Sequence, residues 1–133
     1  MFDRSELAAA ALVCVGAALA GLHPAQTALV PAGFLAGLAA VGSPSYADAV
    51  VRGGKAGALG GVLFVTLTGL GVAARMASFL GPLFAVDVFL FTSFAMAVML
   101  VPLYGIEGLV VGPLVQWLGG KANEVKSGSR DPR

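Results

Sequence analysis

The chain has 133 residues, of which 58% are hydrophobic and 11% charged, with eight Lys or Arg against seven Asp or Glu and a mean hydropathy of +0.91. Soluble domains are about a quarter charged, so the composition excludes a water-soluble globule and points to an all-α, polytopic transmembrane helical bundle. A net charge of +1, with no dense basic stripe to track phosphates, excludes nucleic acid as a partner.

A spanning helix needs about 20 apolar residues, and Leu7 to Ala47 carries no charge, twice that length. The run must fold back, and Pro24, which lacks a backbone donor and disfavours helix at His23, marks the turn. The first helix is expected over about 6–22 and the second over about 27–42. Ala18-Leu19-Ala20 has the form of a signal-cleavage site. However, Asp3 and Glu6 beside Arg4 leave no basic leader, so the segment is expected to be a retained span. Cys14 lies in this run and is expected to pack as a small apolar side chain.

Gly42-Ser43-Pro44-Ser45 reads as a loop leading into a short polar helical segment with Asp48, Arg52 and Lys55. A third helix is expected over 56–76. Ser78, Gly81 and Pro82 mark the next turn, with Pro82 fitting the first turn of a fourth helix over 82–101 that ends before Pro102. The segment 106–118 is short for a crossing, and the architecture expected is four spans plus a re-entrant or fifth short helix. The tail 121–133 is polar and expected to be disordered.

Charge orients this arrangement. With four crossings and a cytoplasmic N-terminus, Arg4, Arg52, Lys55, Lys121, Lys126, Arg130 and Arg133 fall inside and Arg75 alone outside, the distribution that insertion favours. The expected location is the cell membrane, with both termini cytoplasmic.

Glycines recur four apart at Gly33 and Gly37, at Gly53, Gly57 and Gly61 with Gly60 beside them, and at Gly108 and Gly112. Positions four apart share one helix face, and small residues there let membrane helices approach closely. The same faces can instead line a pore or join copies of the chain. Asp87 and Glu107 are the acidic residues of the last two apolar segments and the candidate ion or proton sites, since an intramembrane charge is expensive. Asp87 lies within reach of Arg75 across the 76–82 turn. Tyr104 and Trp117 fit an aromatic belt. One His and one Cys make a metal site improbable, and no nucleophile stands beside a base. No enzyme activity, cofactor or metal is expected.

Residues 31–61 resemble the core of small uncharacterised multi-pass membrane proteins of halophilic archaea. The resemblance rests on Pro31, Gly33 and Gly37, a short polar loop, then Gly53, Gly54, Gly57, Gly60 and Gly61. It implies a glycine-rich helical hairpin and carries no activity. The function expected is a non-enzymatic structural or accessory subunit, packed through small-residue faces in the lipid bilayer as a homo-oligomer or with other membrane proteins. The alternative is a small oligomeric channel or transporter subunit lined by Gly108, Gly112, Glu107, Asp87 or Thr92.

Overall fold

The computed structural model describes residues 2–21 and 32–128, and these are all-helical. Helix α1 spans Arg4–Gly21, a 3₁₀-helix spans Ala32–Ala40, α2 spans Tyr46–Leu80 and α3 spans Pro82–Gly128. The turn expected at His23 and Pro24 lies outside the described residues.

Local chemistry explains the helix starts. Asp3 caps α1: Leu7 N–H donates to its carbonyl at 3.0 Å. Glu6 Oε2 reaches back to accept from the Asp3 N–H at 2.9 Å, so two otherwise orphaned groups are satisfied together. Ser45 caps α2, its Oγ accepting from the Asp48 N–H at 3.2 Å. A single residue, Gly81, joins α2 to α3. Its φ of 90° is one that side chains rarely adopt, and its N–H closes on Ala77 O. Pro82 then opens α3, where a missing N–H is no loss.

The helix bounds differ from the sequence expectation in three places. The polar segment before residue 56 belongs to one continuous α2. The segment expected at 27–42 is, over its described part, a nine-residue 3₁₀-helix of about 18 Å. Its buried residues are Ala32, Gly33, Ala36, Gly37, Ala39 and Ala40, so neighbours cover most of this short coil.

Helix α3 runs through Pro102 and Pro113, so 82–101 and 106–118 are one element and the helix extends to Gly128 into the expected tail. A proline removes one hydrogen bond and crowds one turn. Membrane helices tolerate it when neighbours hold the helix in place, and here Val101 and Tyr104 pack against Gly61 and Gly57 around Pro102.

Two helices are long and apolar enough to cross a membrane: α2 and Pro82–Ala122 of α3. They form an antiparallel pair in tight register, with Gly69 facing Ser93, Gly61 facing Val101, Gly57 facing Gly105 and Gly53 facing Gly108. Helix α1 runs parallel to α2, from Asp3 beside Arg52 to Val13 beside Gly60. The 3₁₀-helix runs parallel to α3, from Gly33 beside Tyr104 to Gly37 beside Val111. The shared core is made mostly of alanine, with Val13 the largest fully buried side chain. Cohesion therefore comes from close backbone approach rather than from large apolar side chains. Further along the pair, Phe79, Leu83, Phe91 and Phe94 point outward, 81, 86, 78 and 73% exposed.

Candidate functional site

The seam between α2 and α3 is built where each backbone presents hydrogen in place of a side chain. A Cβ on Gly53 would press into the carbonyl of Gly108, and one on Gly108 into the carbonyl of Gly53. Gly112 lies the same way on the carbonyl of Ala49, and Gly57 on that of Tyr104. Gly61 is slightly freer: a Cβ there would lie 3.1 Å from Val101 Cα.

The other sequence-selected glycines seat the outer elements. A Cβ on Gly60 would meet Val13 of α1 at 2.6 Å, one on Gly33 would meet Tyr104 Cα at 2.8 Å, and one on Gly37 would meet Val111 at 2.5 Å. All eight positions thus face a neighbouring element of the same chain. Gly16 and Gly69, not selected from the sequence, do so too: a Cβ there would meet Leu35 at 2.8 Å and Ser93 Oγ respectively. Neither belongs to a four-residue ladder, so spacing alone could not single them out.

Glu107 sits at one edge of this seam, between α3 and the 3₁₀-helix, where a Cβ on Gly33 would strike its Oε2. That oxygen is shielded from solvent and lies beside the Gly33 backbone N–H without a well-formed hydrogen bond. Asp87 is not part of the same site. It lies 20 residues before Glu107 on one helix, about 30 Å along the axis. The pair register, in which facing residue numbers total about 162, places Asp87 level with Arg75 and Glu107 level with Lys55. The ion pairs among the described residues are those of Arg52, with Asp48 at 2.7 Å and Asp3 at 3.5 Å. None joins Asp87 to Arg75.

The register has a consequence for the bilayer. Between these two charged levels lie 19 uncharged residues on each helix, 56–74 and 88–106. At about 1.5 Å per residue each interval covers about 28 Å, close to the roughly 30 Å of hydrocarbon in a membrane.

Tyr104 departs from the aromatic-belt expectation: it is 3% exposed and fills the space that Gly33, Gly57 and Gly61 leave open. Trp117 remains half-exposed with Lys121 Nζ 4.3 Å from its ring centre. Cys14 is a buried free thiol. Among the described residues no group of His, Cys, Asp and Glu is placed to hold a metal ion. Comparison with protein families, curated proteins and solved structures finds no match.

Proposed function

We propose that the chain is a multi-pass integral membrane protein of the cell membrane, acting as a non-enzymatic structural or accessory subunit akin to the small archaeal proteins it resembles. The observation that carries this reading is the pair of in-register, 19-residue uncharged intervals on α2 and α3, matched to one hydrocarbon thickness. The glycine faces are consumed within the chain. Contact with other membrane proteins, or with further copies, therefore falls to the outer apolar face that carries Phe79, Leu83, Phe91 and Phe94.

In this reading the residues before Tyr46 supply two further crossings, for four in all. Asp3 and the last turns of α3 lie at the same end, the end rich in Arg and Lys, which the positive-inside tendency makes cytoplasmic. Tags fused to the two termini of the chain in sealed membrane vesicles will be labelled from the same side by an impermeant reagent. Labelling from opposite sides rejects the even number of crossings.

A second reading, a small channel or transporter subunit, is favoured by Glu107 Oε2, which is shielded from solvent beside the Gly33 N–H without a well-formed hydrogen bond, because a shielded carboxyl in apolar surroundings is the form an ion or proton site takes. Reconstituted in liposomes, the chain would then pass protons or cations above the empty-vesicle rate. Glu107→Gln would reduce that flux at least tenfold, whereas Asp87→Asn, about 30 Å away by helix rise, would not. Flux equal to empty vesicles under varied ions, pH and voltage rejects this reading.

A further inference from the structure

A cleft of about 920 Å³ opens at the charged end of the molecule, between the loop after the 3₁₀-helix and the last turns of α3. Its walls carry Ser43, Gln116, Trp117 and Lys121, and their polar atoms are incompletely used. Ser43 is 8% exposed, yet its Oγ has no hydrogen-bond partner. Gln116 spends its Nε2 on the carbonyl of Ser43 at 3.0 Å, which leaves Oε1 shielded and unpartnered. Buried polar groups are nearly always bonded, so two orphans on one wall call for a partner.

Glycine points to the same place. Gly42, Gly119 and Gly120 line the cleft, and a Cβ on any of them would meet nothing within 4 Å. Gly42 needs its positive φ of 78°. Gly119 and Gly120 lie within α3, where glycine weakens a helix, and no packing contact requires them. Bare backbone at such positions admits close approach of a ligand.

The wall defines that ligand. Gln116 Oε1 accepts and therefore requires a donor, Ser43 Oγ can accept or donate, and Lys121 requires an anion. Among the described residues no acidic side chain lines the cleft. Val41, Val115 and Leu118 supply apolar surface beside the polar atoms. We propose that the cleft binds a phosphate ester bearing a free hydroxyl, presented as the glycerol headgroup of an anionic phospholipid. The phosphate rests on Lys121 and the hydroxyl donates to Gln116 Oε1, once the Gln116 amide turns, exchanging its Nε2 bond to the Ser43 carbonyl for the bond to the ligand, and the Ser43 hydroxyl swings into the cleft.

The proposal rests on the membrane placement above, and the two fail separately. A chain that does not fractionate with membranes fails that placement, whereas the titration below, run on the purified chain, tests the cleft. Trp117 is the chain's one tryptophan, so its fluorescence reports the cleft directly. The full chain in nonionic detergent is titrated with dihexanoyl phosphatidylglycerol and, separately, with dihexanoyl phosphatidylcholine, whose headgroup donates no hydrogen bond.

Saturable binding about tenfold tighter for the glycerol lipid is expected, and Ser43→Ala and Gln116→Leu should each reduce that preference about fivefold. Ser43 Oγ holds no bond in the fold, so Ser43→Ala remains informative even if Gln116→Leu disturbs the loop. Lys121→Gln should weaken the glycerol lipid selectively. Equal affinity for both lipids, or a preference that survives both wall substitutions, overturns the proposal. Competition by sn-glycerol 3-phosphate at the same concentration assigns the cleft to a free phosphate ester and overturns the lipid assignment.

Discussion

Gly53→Ala will unfold the α2–α3 pair far more readily than a one-carbon change would elsewhere. The new Cβ meets the Gly108 carbonyl inside the 3.0 Å that real side chains respect, and the atom struck is backbone. Backbone cannot swing aside, so the helices must separate. Separation loses the neighbouring contacts of Gly112 on Ala49 and Gly57 on Tyr104 together. Overpacking of a tight core costs about 3 kcal/mol, the upper part of its usual range, because the whole seam widens at once.

Gly71→Ala is the paired control: nothing lies within 4 Å of its Cβ position. There the helix gains about 0.8 kcal/mol from better propensity. Unfolding midpoints in detergent, followed by circular dichroism, will therefore move in opposite directions for the two variants. An unchanged midpoint for Gly53→Ala would show that α2 and α3 do not meet at this seam.

Leu67→Lys will largely abolish membrane insertion, while Leu114→Lys will be tolerated. The two leucines are similarly exposed, 60% and 54%, so loss of packing is nearly equal and only depth differs. Leu67 lies near the middle of the uncharged interval 56–74, whereas Leu114 is seven residues beyond Glu107, about 10 Å outside the interval. A lysine at the centre of a span costs about 3 kcal/mol on the insertion scale, which is more than a hundredfold in the insertion equilibrium. The fraction of chain that resists alkaline extraction measures this. Equal loss for both variants would place the hydrocarbon elsewhere along α3.

Much of this was legible in the residues. The charge-free runs and the Gly81-Pro82 turn are signals of short range, and they give apolar lengths and a helix start, whereas the cap that Asp3 and Glu6 form at the start of α1 was not read from the residues. Continuity across Pro102 was not legible, because the rule that proline ends a helix concerns the local hydrogen bond. What carries α3 onward is its contact with Gly57 and Gly61, about 40 residues earlier in sequence. The 3₁₀ coil of residues 32–40 was hidden for a related reason: alanine and glycine at 33, 36, 37 and 40 fit a helix of either pitch.

The site followed the same division. Spacing singled out the eight glycines but could not say whether their faces would meet each other, a pore or a second chain. Asp87 and Glu107 looked like members of one path because both are acids in apolar surroundings, and only the register sets them at opposite charged levels. Gln116 was a lone polar residue in an apolar run. Its relation to Ser43, 73 positions away, required the fold.

The parallel course of the 3₁₀-helix along α3 bears on how the chain is made. Gly33 and Gly37 pack against Tyr104 and Val111, which leave the ribosome some 70 residues later. Until then the 3₁₀-helix lacks one of its walls, and α2 holds its bare glycine face uncovered. Such long-range closure is slow, and exposed intermediates of this kind are where misassembly begins. The one-residue link at Gly81 shortens the vulnerable interval, because α3 folds back along α2 as soon as it emerges and the earlier elements then dock onto a finished hairpin.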